Sequence, residues 1–209
     1  MNNLSEIQTE RLILRRFTED DAEALHAILS DRDVNRFLPM LLPAISEQTR
    51  EYLRENYLGT GEASGFQYAI CLKTNQRLIG NVHAAGDDSH DLGYYLKKEY
   101  WHQGIAAEAC RVLIELLQRA GVPYLTATHD VENPNSGAVM RKIGMTYCYS
   151  YEEQWQPKNI PVTFRMYQLN LDGQKDRVYR KYWERYPVHF IEDIDAPSSE
   201  NRPILGKSK

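Results

Sequence analysis

The stretch from Asp91 to Ala120 limits what this chain of 209 residues can fold into more than any other part of it. An apolar and aromatic run, Leu92 to Leu96, leads through a short loop to small residues at 104–107. Apolar residues at helical spacing follow as far as Ala120. The pattern predicts a strand that feeds directly into a helix.

The start of this predicted helix has two interpretations. The first N–H groups of a helix have no partner within it, and small residues such as Gly104, Ala106 and Ala107 leave them uncovered. Such an end binds phosphate, because the free donors and the helix dipole both favour an anion. The alternative is an ordinary strand-to-helix corner in which small residues serve only tight packing. This stretch alone does not decide between the two.

Composition narrows the classes of partner. The 25 Lys and Arg face 29 Asp and Glu and form no basic stripe, which argues against a nucleic-acid partner. Apolar runs are short and the N-terminus lacks the regions of a signal peptide, so we expect a cytoplasmic protein without a membrane partner. The cysteines are scattered singly and the histidines lack ligand spacing, so we assign no metal.

Hydrophobic periodicity predicts the elements on either side of the central stretch. Thr18 and Asp21 form a capping box for a helix that runs to about Ser30, and Gly80 indicates a bulge or a close backbone approach. The other predicted elements are a strand at 10–17, an apolar loop at 37–42, a helix from Ser46, a hairpin at 66–83, and strands at 147–155 and 162–169.

A second strand is predicted after the central helix, from Tyr124 to His129. A strand, a crossover helix and a strand form a βαβ unit, so this strand should be a parallel neighbour of the strand at 91–96. Asn135 or Ser136 should then cap a short helix that ends at Gly144.

The chain divides into a main domain, residues 1–171, and an appendage, residues 172–209. A helix is predicted from Asp172 to Arg185, with an aromatic stripe that must be buried either on its own domain or on a second subunit. A homodimer is therefore one expectation. Residues 196–203 have the composition of a linker.

Three motifs occur in an order that resembles the GNAT superfamily of acetyltransferases, closest to the RimJ/RimL-like branch. They are the run 9–15 (TERLILR), the run 92–109 (LGYYLKKEYWHQGIAAEA), and Asn133 and Ser136 followed by 142–145 (KIGM). The resemblance covers roughly residues 8–170. It implies an α/β (α+β) fold with a mixed, mostly antiparallel sheet of about seven strands, flanking helices, and a C-terminal helical extension.

The resemblance also implies acetyl-CoA as co-substrate, with no metal. The family's pyrophosphate loop falls on residues 101–106, where Trp101 replaces the usual Gln or Arg but leaves the backbone donors intact. The strand before it would pair with the pantetheine amides, and Asn133 matches the asparagine that binds the pantetheine arm. The implied cofactor-binding residues are Tyr95, Leu96, Trp101, His102, Gln103, Gly104, Ile105, Ala106, Ala107, Asn133 and Ser136.

Catalysis in the family is direct attack of a neutral amine on the thioester. Met140 occupies the position of the tyrosine that often protonates the leaving thiolate, so the resemblance assigns that role to Ser136. Asp91 stands where the branch often has a Glu base, and it would act through water. His83 on the neighbouring strand is the competing base, since its ordinary pKa suits the task.

The sequence thus predicts an acetyl-CoA-dependent N-acetyltransferase of a primary amine, either a protein N-terminus or a small molecule. The alternative is a GNAT module that binds acyl-CoA without catalysis. Acceptor walls are expected from residues 37–42 and 147–155, with aromatic sides supplied by Tyr149, Tyr151 and Trp155.

Overall fold

The computed structural model describes residues 6–59 and 65–194. The first half forms an antiparallel sheet of five strands in chain order, with three helices between its second and third strands. The strands are β1 (Glu6–Gln8), β2 (Leu12–Arg15), β3 (Phe66–Leu72), β4 (Leu78–Ala84) and β5 (Leu92–Leu96); the helices are α1 (Ala22–Leu29), α2 (Arg32–Asn35) and α3 (Ser46–Asn56).

The second half forms a separate antiparallel sheet of four strands in the order β6-β8-β7-β9. The long helix α4 (Ile105–Arg119) joins the two halves, as the central stretch predicts. The remaining elements are β6 (Tyr124–Asp130), α5 (Pro134–Lys142), β7 (Thr146–Trp155), β8 (Ile160–Asn170), α6 (Lys181–Arg185) and β9 (His189–Phe190).

The expectation of one mixed sheet with β5 and β6 as parallel neighbours is wrong. Each is the edge strand of its own sheet, and every strand pairing among the described residues is antiparallel. Hydrogen bonds to β6 come instead from the turn before β5, where Ser89 O accepts from the N–H and the hydroxyl of Thr126. Strand β5 pairs with β4 along one edge, and its other edge has no strand partner among the described residues.

Two cores cover the two faces of the first sheet. Strand β2 alternates between them, with Leu12 and Leu14 packed into the core under α4 and Ile13 into the core under α1 and α3. This confirms that β2 is apolar on both faces. None of the helices within residues 6–59 and 65–194 is long and apolar enough to cross a bilayer.

Two local predictions in the first sheet are confirmed. The backbone N–H of Thr18 donates to Asp21 Oδ2 (2.8 Å), so the capping box is present, although its first turn is 3₁₀ and α1 begins at Ala22. At Gly80 the strand register shifts, and a Cβ there would lie 2.2 Å from the carbonyl oxygen of Tyr95. Only glycine permits that approach of β4 to β5.

The predicted helix from Asp172 to Arg185 is wrong over most of its length, because α6 begins only at Lys181. Asp172 instead accepts hydrogen bonds from the backbone N–H of Gln174 and from the guanidinium of Arg177. These local bonds compete with helix formation. The residues with linker composition, 196–203, lie outside the described residues.

Residues 177–192, which we call the C-terminal segment, pack on the second sheet. Tyr179, Tyr182, Trp183 and Tyr186 contact the apolar cluster of β7 and β8, which confirms burial of the stripe on its own domain. The segment is fixed by Arg165 on β8, whose guanidinium pairs with Glu192 (2.5 Å), and by a hydrogen bond from Ser150 to the same carboxylate. A homodimer stays a prediction.

Removal of the Glu192 carboxylate should destabilise the protein by about 2 kcal/mol, because Arg165 would keep a largely buried charge without its partner. Burial opposes ionisation of Glu192, but the bonds from Arg165 and Ser150 outweigh it and lower the pKa. The contribution is therefore present at neutral pH and lost as the pH falls through that lowered pKa. Urea unfolding of Glu192→Ala at pH 7 measures the effect.

Glu184→Ala provides the matched control, since Glu184 is an exposed residue of α6 in the same segment. Its free energy of unfolding should change by no more than about 0.5 kcal/mol. Equal losses in the two variants would show that the ion pair does not anchor the segment.

Candidate active site

A cavity of about 670 Å³ lies between the two facing edge strands. It is lined by β5, the start of α4, the end of β6, the first turns of α5, and side chains of the loop after α2 and of the C-terminal segment. Every residue that the sequence assigned to the cofactor or to catalysis lines this cavity except Gln103. Residues separated by up to 45 positions, from Asp91 to Ser136, are therefore brought to one site.

The loop from Trp101 to Gly104 is held by side chains that bond to backbone. The indole N–H of Trp101 donates to Leu96 O (2.9 Å), which ties the loop to the end of β5. Gln103 faces outward, with its carbonyl oxygen accepting from Arg11 (3.0 Å) and its amide donating to Glu99 O (2.8 Å). The Gln103 side chain thus secures the loop from outside the cavity, and the expected role of its backbone in cofactor binding stays a prediction.

The start of α4 presents open backbone donors to the cavity. Gly104 is the N-cap residue, in the left-handed region at φ 75°, and it has no side chain to cover the first turn. The N–H groups of Ile105, Ala106 and Ala107 precede the first intrahelical bond, which Glu108 makes to Gly104 O. All three residues line the cavity, so the first turn of a helix of 15 residues faces it.

Two cationic side chains that the sequence analysis did not assign lie at this end. A Cβ on Gly104 would be 3.7 Å from Lys142 Nζ and 3.8 Å from Arg11 Nη2. Arg11 pairs with Glu108 (2.6 Å), and the same carboxylate accepts from the hydroxyl of Thr9 (2.5 Å). Residues of the TERL run thus bind the first turn of α4. Lys142 could have been suspected from its place in the last turn of α5, where basic residues are common.

Asn133 is the N-cap of α5, which corrects the expectation that Asn135 or Ser136 caps it. Its Oδ1 accepts from the backbone N–H of Ser136 (3.3 Å), and Pro134 occupies the first helical position, where its missing N–H costs nothing. The cap uses the amide oxygen of Asn133. Asn133 also lines the cavity.

Ser136 faces Tyr94 across the gap between the two sheets. The Ser136 hydroxyl donates to the Tyr94 hydroxyl (3.0 Å), which in turn donates to Ser136 O (2.7 Å). Burial raises the pKa of Tyr94, so it stays protonated. Strand alternation sends Tyr95 to the opposite face, where its hydroxyl meets that of Tyr57 (2.9 Å). Strand alternation in the sequence could have shown that Tyr94 and Tyr95 lie on opposite faces of β5. That Tyr94 meets Ser136 on α5 depends on the tertiary fold.

Asp91 lies at the beginning of β5 and lines the cavity wall. Its Oδ1 accepts from the hydroxyl of Thr126 (3.1 Å) on β6, and the residue is half-buried where it lines the cavity. Burial raises the pKa of Asp91 to about 7, despite the bond from Thr126, and the charge of Asp87 adds to the increase. This carboxyl can therefore both release and hold a proton near neutral pH.

Two histidines also reach the cavity wall, and both are poorer bases near neutral pH. Burial lowers the pKa of His83 to about 4, and its Nδ1 lies 2.8 Å from Asn81 Oδ1. Burial also lowers the pKa of His129, whose Nδ1 donates to Asp130 O (2.8 Å). An imidazole whose pKa is lowered in this way accepts a proton only weakly at pH 7. Of the two candidate bases that the sequence left open, Asp91 and His83, Asp91 is therefore the better one.

The far end of the cavity has aromatic walls. Phe37 and Leu38, which follow α2, line it as expected, and so do Tyr151 and Trp155. Tyr149 does not line it. Its ring packs edge-on against Trp183 (5.4 Å) instead, because the C-terminal segment covers that part of β7.

The two antiparallel sheets, the flanking helices and the cleft between their edge strands are those of an N-acetyltransferase. A family model described as "Acetyltransferase (GNAT) domain" matches residues 11–146. The chain therefore belongs to the GNAT family of acetyltransferases.

Relatives and solved structures agree with this assignment. The chain is 27% identical over 143 residues to the uncharacterized N-acetyltransferase YnaD of Bacillus subtilis, covering 66% of this chain and 81% of YnaD. An acetyltransferase structure from Bacillus anthracis superposes with a TM-score of 0.70 and 25% identity, covering 80% of this chain and 99% of that one. The RimL ribosomal L7/L12 acetyltransferase in complex with coenzyme A gives a TM-score of 0.70 at 21% identity, covering 80% and 98%.

Replacing Asp91 by Asn should stabilise the protein at pH 8 by on the order of 2 kcal/mol. The raised pKa means that the folded state holds a proton more tightly than the unfolded chain, so this group lowers stability as the pH rises from about 4 to 7. Asn keeps the acceptor for Thr126 without the buried charge. Urea unfolding at pH 4 and pH 8 should show the gain only at pH 8.

The exposed Asp176→Asn variant removes the same charge without relieving burial. Its stability should change little between the two pH values. A gain at pH 8 of similar size in both variants would refute a raised pKa at Asp91.

Proposed function

We propose that this protein transfers the acetyl group of acetyl-CoA to a primary amine by direct attack of the neutral amine on the thioester. The observation that carries the proposal is the cavity in which Asp91, Ser136 and the open start of α4 lie together. The cytoplasmic location expected from the sequence is consistent with such an enzyme and remains part of the proposal.

The co-substrate would lie along β5 and across the start of α4. The open edge of β5 can pair with the pantetheine amides, and the N–H groups of residues 105–107 can hold the pyrophosphate. Lys142 adds positive charge at that end, and Asn133 lines the same cavity. The RimL structure, which shares this fold, is in complex with coenzyme A.

Asp91 is the proposed base. The amine nitrogen bonds to the acetyl carbonyl carbon as the carbon–sulfur bond breaks, and the amine loses a proton to the Asp91 carboxylate through water. Thr126 on β6 donates to Asp91, and the titratable groups near enough to interact with its charge are Asp87 from the preceding turn, Tyr94, Tyr151, Tyr179 and Tyr182.

Ser136 is the proposed acid for the leaving thiolate. Its hydroxyl gives a proton to the sulfur, and the serine oxygen regains one from the Tyr94 hydroxyl, 3.0 Å away, as Tyr94 takes up a proton from water; burial keeps Tyr94 protonated before and after this step. The pair replaces the single tyrosine that the family often places where this chain has Met140, which is buried in the core and cannot donate.

Thiol release from acetyl-CoA, measured over a panel of primary amines, tests the activity. For a substrate amine, kcat/KM should rise with an inflection near pH 7 as Asp91 ionises, and Asp91→Asn should lose that inflection and about 10²-fold in rate. An unchanged profile in Asp91→Asn would eliminate Asp91 as the base. Binding of acetyl-CoA without thiol release from any amine would instead favour the non-catalytic module.

Ser136→Ala should lower kcat by roughly tenfold or more while the Kd for acetyl-CoA stays within about twofold, because the lost proton donor acts only in the chemical step. Tyr94→Phe should reduce kcat in the same direction, since it removes the group that reprotonates Ser136. Ser46→Ala, at an exposed helix start away from the cavity, is the control. Wild-type kcat in Ser136→Ala would remove this residue from the mechanism.

A further inference from the structure

The C-terminal segment, although it lies beyond the family match at residues 11–146, reaches the candidate active site. Tyr182 and Tyr186 line the cavity. Both rings stack on Tyr151 of β7, with centroids 5.4 Å and 4.7 Å from it and interplanar angles of 26° and 9°. The segment thus forms a wall of the cavity at the end opposite the start of α4.

Tyr182 connects this wall to the candidate base. Burial and the nearby charge of Asp91 both raise the pKa of Tyr182, and both residues line the cavity. Tyr182 therefore lies in the same part of the cavity as the candidate base. The part of the cavity that would hold the body of the acceptor is bounded by the C-terminal segment.

Strand alternation on β7 places a carboxylate among these rings. Tyr151, Glu153 and Trp155 are on one face of the strand, at steps of roughly 7 Å, and all three line the cavity. Burial, together with the nearby negative charge of Glu153, raises the pKa of Tyr186 to about 12. Within the described part of the chain, Glu153 forms no ion pair with a Lys or Arg.

Positive charge in the described cavity wall is confined to the Gly104 end. Among the described residues that line it, Lys142 is the one lysine or arginine, and it lies at the Gly104 end. Lys158 is close to Trp155 but does not line the cavity, and its ammonium is held by the carbonyl oxygens of Asn35 and Arg36. A carboxylate beside stacked tyrosine faces is a suitable environment for an ammonium group.

On the basis of the proposed function, we propose that the C-terminal segment forms the acceptor side of the active site and that Glu153, with Tyr186, selects primary amines that carry a second positive charge. One amine of such an acceptor would react near Asp91. The distal ammonium would lie against Glu153 and the faces of Tyr151 and Tyr186. Linear diamines are the simplest members of this class.

The test compares 1,5-diaminopentane with pentylamine, two primary amines of equal chain length, by acetyl-CoA thiol release with the full chain at pH 8.5. The kcat/KM of the diamine should exceed that of the monoamine by about tenfold. Glu153→Gln should bring the ratio close to one. Glu152→Gln removes the same charge from the exposed opposite face of β7 and should leave the ratio unchanged.

Tyr186→Phe keeps the stacked ring but removes the hydroxyl beside Glu153. If Glu153→Gln fails to fold, this variant should still lower the ratio toward one. A ratio near one in the wild type, or the same ratio in Glu153→Gln and Glu152→Gln, would overturn the inference while thiol release from pentylamine still supports the proposed function. If no amine releases thiol, the proposed function fails. Calorimetry of diamine binding to the coenzyme A-loaded protein, and its loss in Glu153→Gln, then decides the inference separately.

Discussion

The fold depends on two edge strands that face each other without hydrogen-bonding as one sheet. The carbonyl oxygen of Ser89, in the turn before β5, accepts hydrogen bonds from the N–H and the hydroxyl of Thr126 on β6. These bonds join the two sheets at one end of the strands. Beyond that contact β5 and β6 belong to different sheets, and the cavity lies between them. A buried strand edge must satisfy its backbone groups elsewhere, and here an extended ligand can supply the partners.

The same junction determines the chemistry available at the cavity wall. Thr126 bonds both to the turn and to Asp91, so the contact that joins the sheets also encloses a carboxyl. Enclosure raises its pKa to about 7 and makes the folded state less stable at high pH than it would be with a neutral residue. A group that costs stability while gaining a useful proton affinity is typical of functional sites.

The C-terminal segment makes the two ends of the cavity chemically different. Near Gly104 the wall consists of helix N–H groups and a lysine, which suit an anion. At the other end, Tyr182 and Tyr186 meet Tyr151 and bring aromatic faces next to Glu153. The ion pair between Arg165 and Glu192 joins this segment to β8, so this end of the cavity is built partly from residues outside the family match.

The sequence by itself determined the elements whose signals are local. Helix α4, the capping box at Thr18 and the close approach at Gly80 each follow from the residue types within a few positions, as does the strand-to-helix turn at 104–107. Only the tertiary structure decided that the strands form two sheets, that Tyr94 faces Ser136, and that an appendage completes the cavity. Those outcomes depend on contacts between residues tens of positions apart, and no local propensity or periodicity encodes them.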